Sequence, residues 1–264
     1  MRLRIFQADA FTDTLFSGNP AAVILLDQWL PDRVMQHIAL ENNLSETAFL
    51  VRSEGRFHLR WFTPATEVSL CGHATLATAH ILFNHLDFQG DTVIFETQSG
   101  PLPVTRSGDL LYLDFPAAKL KAIPTPQGLT AGLGLRPLEV FHAGKYLLAI
   151  YKNEKEISRI LPDFPLLSKL PYLGIDVTSP GDKVDFVSRF FAPSVGINED
   201  PVTGSAHTAL IPYWSDRLGK TTLLAHQISD RGGILYCEFL GERVKIGGKA
   251  VTYMEGTIDP GTGY

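Results

Sequence analysis

Glu46 is the residue of this sequence best suited to move a proton. It stands in Leu44-Ser45-Glu46-Thr47-Ala48-Phe49-Leu50, at the start of a predicted strand whose following residues are largely apolar. Partial burial there would raise the pKa of a glutamate from about 4.3 toward 6 or 7, which suits a general acid/base near neutral pH. A cap or turn role for Ser45-Glu46 explains the same pattern, and the sequence leaves both interpretations open.

Two helix starts of the same kind form the second chemical feature. They are Cys71-Gly72-His73-Ala74 and Thr203-Gly204-Ser205-Ala206. Unpaired backbone N–H groups and the helix dipole give such a start about +0.5 charge, which attracts anions. Either glycine alone would be read as a turn residue, but their repetition favours a function. If the two halves face each other across a pseudo-twofold axis, both starts point into one cleft that receives a carboxylate or enolate.

His73 and Asp200 accompany these starts. His73 lies in the first helical turn, where the dipole lowers its pKa and favours the neutral imidazole. Asp200 immediately precedes the second start, in Glu199-Asp200-Pro201-Val202-Thr203. It is a candidate second proton carrier, and a structural cap is the alternative.

The two cysteines predict different roles. Cys71 stands just before its helix, where the dipole lowers the thiol pKa from about 8.5, whereas Cys237 lies in a predicted closing strand and reads as a small buried apolar residue. Thr203 takes the position of Cys71 in the second half, so a symmetric two-thiol racemase lacks one thiol. Distant cysteines indicate reduced thiols, and no residues are spaced to complete a metal site, so we expect no metal.

The composition, and the motifs that the sequence lacks, limit the kinds of binding partner and cofactor to expect. A net charge of −5 without a dense Lys/Arg run argues against nucleic acid and anionic membranes, and leaves a small molecule as the expected partner. The sequence has no dinucleotide fingerprint, phosphate loop or Gly-x-Ser-x-Gly elbow, so we expect no cofactor. The start, Met1 to Phe6 followed by Gln7 and Asp9, contains no apolar signal core, and no stretch could span a membrane, which predicts a cytoplasmic protein.

An internal repeat sets the predicted architecture. Arg60-Trp61-Phe62-Thr63-Pro64 returns as Arg189-Phe190-Phe191-Ala192-Pro193, ahead of the two helix starts. Upstream, the turn and apolar strand of residues 17–24 match residues 143–150. Three elements that recur in one order predict two similar domains, each a curved, mostly antiparallel sheet around a central helix, in the α+β class.

The helices follow from apolar periodicity. An outer helix begins at Asp32 after Pro31, with Val34, Met35, Ile38 and Ala39 on its apolar face. An inner helix runs from His73 to about Leu86 and is apolar around most of its circumference. Its counterpart runs from Ser205 to about Leu218, where Pro212 should bend or interrupt it.

The domain division falls in a stretch rich in Pro and Gly. Residues 119–133 read as a linker, so we predict domains at 1–118 and 119–251. Gly233–Leu240, Arg243–Gly247 and Ala250–Ile258 read as closing strands. The last strand, about 252–264, could return to the first domain.

Five motifs together resemble the PhzF (phenazine biosynthesis-like) family from Asp9 to about Gly256. The motifs are Asp9-Ala10-Phe11, Gly18-Asn19-Pro20-Ala21-Ala22-Val23, Leu44-Ser45-Glu46-Thr47-Ala48-Phe49, Cys71-Gly72-His73-Ala74-Thr75 and Glu199-Asp200-Pro201-Val202-Thr203-Gly204-Ser205-Ala206. Within the family, Arg60-Trp61-Phe62-Thr63-Pro64 and Arg231-Gly232-Gly233 are similar to the phenazine biosynthesis-like domain proteins also found in animals.

The resemblance implies a diaminopimelate epimerase-like fold, an active site in the cleft between two pseudo-symmetric domains, and a homodimer. It also implies a proton shift, in PhzF itself on a cyclic amino-hydroxy acid, with Glu46 moving the proton and His73, Asp200 and Ser205 supporting substrate binding and proton transfer. We expect substrate to be bound by Asn19, Cys71, Gly72, Thr203 and Gly204.

Three hypotheses follow. The favoured one is a cofactor-independent isomerase or epimerase in which Glu46 takes and returns a proton at carbon while Gly72 and Gly204 mark the anion-binding helix starts. The second is a catalytically silent ligand-binding or protein-interaction homodimer. The third is an amino-acid dehydratase that uses Cys71 as its base. Intact Glu46, His73, Asp200 and Ser205 favour an enzyme over a scaffold.

Overall fold

The computed structural model describes residues 2–261. Met1, where the predicted first domain begins, and residues 262–264, where the predicted last strand ends, lie outside the described residues. The chain divides into two compact units, unit 1 (Met1–Asp114 with Gly247–Tyr264) and unit 2 (Phe115–Ile246). The first boundary thus lies between residues 114 and 115, where the sequence suggested 118 and 119. No helix within residues 2–261 has both the length and the apolar character needed to cross a bilayer.

Unit 1 contains nine strands and two helices among its described residues. They are β1 (Leu3–Ala10), β2 (Asn19–Leu26), α1 (Asp32–Asn42), β3 (Glu46–Ser53), β4 (Arg56–Phe62), β5 (Glu67–Val68), α2 (Gly72–His85), β6 (Thr92–Thr97), β7 (Gly100–Ser107), β8 (Leu110–Pro116, whose last two residues enter unit 2) and β18 (Ala250–Ile258).

The pairing of unit 1 explains its two helix environments. β1 is antiparallel to β2 and to β18, β2 is parallel to β3, and β3 is antiparallel to β4. α1 packs on β3 and β4 through Val34, Met35, Ile38 and Ala39, the four residues that the sequence predicted. α2 contacts β1, β2, β3 and β18 and is buried around most of its circumference, so the prediction of an inner helix is confirmed.

Unit 2 holds the remaining elements. They are β9 (Lys121–Ala122), α3 (Leu129–Leu133), β10 (Glu139–Ala143), β11 (Tyr146–Ile150), α4 (Glu154–Ser158), α5 (Phe164–Leu167), β12 (Gly174–Pro180), β13 (Phe186–Ala192), a 3₁₀ turn (Pro193–Val195), β14 (Ile197–Asp200), a second 3₁₀ turn (Gly204–Ala206), α6 (His207–Leu218), β15 (Thr222–Gln227), β16 (Gly233–Phe239) and β17 (Arg243–Gly248, whose last two residues belong to unit 1).

The order of pairings in unit 2 repeats that of unit 1. β10 is antiparallel to β11, β11 is parallel to β12, β12 is antiparallel to β13, and β13 is parallel to β15 as β4 is to β6. Residues 119–133, predicted as a linker, instead contain β9 and α3. Leu129 and Leu133 are fully buried there, because α3 supplies part of the apolar core of unit 2.

Pro212 lies inside α6 without interrupting it, so the predicted interruption is wrong. A proline lacks the N–H that would bind the carbonyl four residues earlier, here that of Thr208. The backbone N–H of Ala118 donates to that carbonyl at 3.0 Å instead. The helix continues because another segment of unit 2 satisfies the group that proline leaves unpaired.

A bidentate ion pair recurs with the Arg-Phe-Pro repeat. Arg60 donates from Nε and Nη2 to Glu67 at 2.7 Å each, and Arg189 donates from the same atoms to Glu199 at 2.8 Å each. Each pair ties the strand of the repeated motif, β4 or β13, to the segment that leads into the inner helix. Both copies of the repeat therefore carry a bidentate arginine–glutamate ion pair, named here the fork. The sequence did not indicate that Glu67 and Glu199 are the partners.

Candidate active site

In unit 1, Glu46, Cys71 and His73 come together and are named here the acid–thiol group. Sγ of Cys71 lies 3.5 Å from Nδ1 of His73, and Nε2 of His73 lies 3.3 Å from Oε2 of Glu46. One ligand atom from each residue lies within 4.8 Å of the other two. The histidine ring therefore stands between a thiol and a carboxyl group.

Two elements position this group. Glu46 is the first residue of β3, opposite Ala21 of the parallel β2, which agrees with the strand-start prediction. Cys71 is the N-cap of α2, but its side chain makes no capping hydrogen bond. The hydroxyl of Thr75 donates to the Cys71 carbonyl at 2.6 Å and fixes the first turn. The first N–H groups of α2 thus lack a side-chain cap from Cys71, as suits an anion-binding helix start.

Burial sets the protonation state of His73. It lowers the pKa of His73 to about 3, so the imidazole is neutral at neutral pH. The direction agrees with the sequence prediction, and burial is its cause. A neutral imidazole offers one donor and one acceptor nitrogen. His73 can accordingly present a hydrogen to Glu46 and a lone pair to the Cys71 thiol, or the reverse.

Asn19 and Gly72 belong to the strand and the helix that flank the acid–thiol group. Asn19 is the first residue of β2, two positions before the partner of Glu46, so it shares that strand face. Its side chain is fully buried. Gly72 is the first residue of α2, between the thiol and the histidine. Their part in substrate binding stays a prediction.

In unit 2, Asp200, Thr203 and Gln227 form a second polar cluster, named here the threonine latch. The Thr203 hydroxyl donates to the Asp200 carboxylate at 2.5 Å. The fully buried Gln227 accepts from the Thr203 backbone N–H at 2.8 Å and donates to the Asp200 carbonyl at 2.8 Å and to the Thr203 hydroxyl at 3.2 Å. Gln227 therefore holds both candidate residues from the end of β15.

The start of the second inner helix differs from its prediction. Gly204 and Ser205 lie in the 3₁₀ turn Gly204–Ala206, and the α-helix begins only at His207. Nδ1 of His207 lies 2.9 Å from the carbonyl oxygen of Thr203, and the Ser205 hydroxyl lies 3.0 Å from that of Tyr146. Burial lowers the pKa of His207 to about 4, so this ring too is neutral near pH 7.

The structure thus collects Glu46, Cys71 and His73 in unit 1 and Asp200, Thr203 and Ser205 in unit 2. Sequence reasoning missed Gln227, Tyr146 and His207. Tyr146 lies in the repeated upstream motif, which was read only as an apolar strand, whereas Gln227 ends β15 in no recognisable motif. Cys237 is buried and its thiol pKa is raised by that burial, which confirms its prediction as a small apolar residue.

The family model described as phenazine biosynthesis-like protein matches residues 8–256. An uncharacterised isomerase of Pseudomonas aeruginosa is 54% identical over 98% of this chain and 99% of its own length. The mouse phenazine biosynthesis-like domain-containing protein 1 is 42% identical, again over 98% of this chain and 99% of its own. The crystal structure of a PhzF family protein from Enterococcus faecalis superposes with a TM-score of 0.95 at 50% identity, over 98% of this chain and 100% of that one.

A more distant neighbour fixes the fold class. A hydroxyproline epimerase from Agrobacterium vitis aligns with a TM-score of 0.65 at 11% identity, over 97% of this chain and 92% of that one. At this identity the likeness concerns the fold alone. The α+β, epimerase-like fold expected from the sequence is therefore confirmed.

Proposed function

Because the chain belongs to the phenazine biosynthesis-like family, whose relatives include proteins named isomerases, we propose that it is an isomerase that moves a proton at carbon through Glu46. The substrate class is a small carboxylate-bearing amino or cyclic hydroxy acid. One observation carries the proposal: the Glu46 carboxylate, 13% exposed, lies 3.3 Å from a neutral histidine at the start of α2.

The acid–thiol group suits proton abstraction next to a carboxylate. Removing a proton from such a carbon builds negative charge on the substrate carboxylate as an enolate forms. The first N–H groups of α2 stabilise negative charge without adding a titrating group. Because His73 is neutral, its ring packs 3.3 Å from Glu46 without pairing with it as a cation, which leaves the carboxylate available as the base.

The threonine latch supports a second role in the same reaction. We propose that Asp200, with Ser205, binds substrate or returns the proton, since Thr203 donates to its carboxylate and Gln227 donates to its backbone carbonyl. A preorganised carboxylate transfers a proton faster than a mobile one because less reorganisation is needed. This role is subordinate to that of Glu46 and is tested separately from it.

The test is loss of a carbon-bound proton in D2O, followed by NMR on a panel of amino and cyclic hydroxy acids. We expect wild type to exchange at least one substrate and Glu46→Gln to lose about 10²–10⁴-fold in rate, the usual contribution of a general base. Glu139→Gln is the matched control, because Glu139 also begins a strand but binds the exposed Arg217.

Two outcomes contradict the proposal. Equal exchange by wild type and Glu46→Gln removes Glu46 from the chemistry. An absence of exchange across the panel favours the silent-binding hypothesis.

A dehydratase that uses Cys71 is the second candidate, because the Cys71 thiol lies 3.5 Å from a neutral histidine nitrogen able to accept its proton. This candidate predicts that Cys71→Ser loses activity while Glu46→Gln keeps it. The isomerase proposal predicts the larger loss in Glu46→Gln. Comparing both variants on one substrate separates the two functions.

A further inference from the structure

The acid–thiol group combines three types of metal ligand atom. Cys71 offers sulfur, His73 nitrogen and Glu46 oxygen, all within 4.8 Å of one another. Within residues 2–261 no other set of three or more His, Cys, Asp or Glu side chains meets this condition. The sequence did not reveal the set, because Glu46 is supplied by β3 and the other two residues by the start of α2.

The separations fit tetrahedral coordination. Zinc bonds of about 2.3 Å to sulfur and about 2.0–2.1 Å to nitrogen or oxygen place neighbouring ligand atoms about 3.3–3.5 Å apart. The Sγ–Nδ1 separation is 3.5 Å and the Nε2–Oε2 separation is 3.3 Å. The Sγ–Nδ1 pair therefore already has the spacing of two ligands of one ion, and the carboxylate lies at a similar distance from the other ring nitrogen.

One adjustment completes the set. Sγ of Cys71 lies beside Nδ1 of His73 and the carboxylate beside Nε2, so an ion bound to Sγ and Nδ1 requires the carboxylate to turn toward it. Glu46 can do so by rotation about its side-chain torsions, which changes the carboxylate position without moving β3. Its 13% exposure also gives an ion a path from solvent.

We propose that Glu46, Cys71 and His73 form a binding site for one soft divalent cation such as Zn²⁺, with water at the fourth position. Binding forms a metal–sulfur bond and releases the thiol proton to solvent. Thiolate and imidazole select zinc or cobalt over magnesium. The binding claim is independent of the reaction. A second claim rests on the proposed function: an occupied site blocks proton transfer, because the metal bond uses the Glu46 lone pair that would accept the substrate proton.

The experiment is a Co²⁺ titration of the full-length, reduced, tag-free protein without substrate. We expect one equivalent of Co²⁺ to give a thiolate-to-cobalt absorption band together with the strong visible bands of a four-coordinate ion. Zn²⁺ should abolish both bands and Mg²⁺ should not. Cys71→Ser should lose the thiolate band, and Glu46→Gln should bind Co²⁺ at least about tenfold more weakly.

Cys237→Ser is the matched control, because its thiol is buried in β16, where it donates to the Leu235 carbonyl. This variant should keep the band. No thiolate band in wild type, or a band that survives in Cys71→Ser, overturns the site. Circular dichroism of each variant excludes unfolding as the cause of a lost band.

Inhibition is measured afterwards by proton exchange with and without Zn²⁺. Chelator-reversible loss of exchange supports the second claim, and full exchange by zinc-loaded protein overturns it. The cobalt titration needs no substrate, so a failed metal site and a failed isomerase assignment give different results.

Discussion

In unit 1 the strand position facing the start of the inner helix carries Glu46, whereas the matching position in unit 2 carries Gly174. The match follows from register: Ala48 pairs with Trp61, and Asp176 pairs with Phe190, each the residue after the repeated arginine. Glu46 and Gly174 lie two residues before Ala48 and Asp176. A side chain at Gly174 would collide with the Phe190 ring, so the second unit has no room for a carboxylate there.

On the adjacent strand, β2 in unit 1 and β11 in unit 2, it is unit 2 that carries the larger polar side chain. Ala21 pairs with Glu46 in unit 1, and Tyr146 pairs with Gly174 in unit 2. The Tyr146 hydroxyl reaches Ser205, which stands where unit 1 has His73. Both helix starts thus receive a polar side chain from the same pair of strands, but only one receives a base. The two units thus share one scaffold, and this strand position carries a carboxylate only in unit 1.

The largest expected effect concerns the part of the scaffold that both units share. Arg189→Met should lower the free energy of unfolding by about 3 kcal/mol, because it leaves Glu199 without its partner and also removes donors to two carbonyls. Arg60→Met should cost less, about 1–2 kcal/mol, since its additional partner Asp32 is 74% exposed.

Urea unfolding of the two variants measures this difference. A larger loss in Arg60→Met would show that the two forks are not equivalent supports. Arg217→Met is the control, because it removes an arginine from an exposed ion pair with Glu139.

The next effect concerns the threonine latch, which unit 1 lacks. Gln227→Leu should lower the exchange rate constant about 10–100-fold with little change in KM, because Asp200 and Thr203 lose their fixed positions. Gln227→Glu keeps an acceptor for the Thr203 N–H but loses both donors, so it should fall between Gln227→Leu and wild type.

Steady-state kinetics of these variants, with Gln89→Leu as an exposed control, test this role. Equal losses in Gln227→Leu and Gln227→Glu, or a change confined to KM, would contradict it. Thermal unfolding of each variant separates a displaced Asp200 from an unfolded unit.

The smallest expected effect lies at Asp176, where unit 1 has the buried Ala48. Asp176 is 2% exposed, neither of its carboxyl oxygens has a hydrogen-bond partner among residues 2–261, and burial raises its pKa well above the ordinary value. The folded state therefore holds this proton more tightly, so stability is greatest below the unfolded pKa near 3.9 and falls as pH rises toward the folded pKa.

Asp176→Asn should remove the loss of stability at higher pH, because asparagine does not ionise. The variant should be more stable than wild type at pH 7, with the difference shrinking as the pH falls toward 4. Urea unfolding between pH 4 and pH 8 measures it, with the exposed Asp216→Asn as control. A difference that does not depend on pH would show that Asp176 is not protonated in the folded protein.

The sequence predicted what local pattern determines. The apolar face of α1, the inner helix α2 and the closing strands follow from periodicity, and the start of β3 at Glu46 is confirmed. The upstream repeat is one residue out of step with the sequence match of residues 17–24 to 143–150, because the turn before β11 differs in length from that before β2. Ala21 therefore matches Tyr146 and not Leu147.

The missed parts of the site depend on distant segments. The contact of Glu46 with His73 joins a strand start to a helix start, and the latch needs Gln227 from the end of β15. Nothing in the local sequence of β15 marks its last residue as the one that reaches Thr203. The continuity of α6 through Pro212 likewise depends on Ala118, a residue far away in the chain.

The return of β18 to β1 affects how the protein forms during synthesis. β1 pairs with β2, its near neighbour in sequence, and with β18, which the ribosome makes only after all of unit 2. Until then one edge of β1 exposes unpaired backbone groups, a template for wrong pairing. Unit 2, by contrast, is continuous in the chain. We therefore expect the later-encoded unit to complete its fold first, the reverse of the usual order in translation.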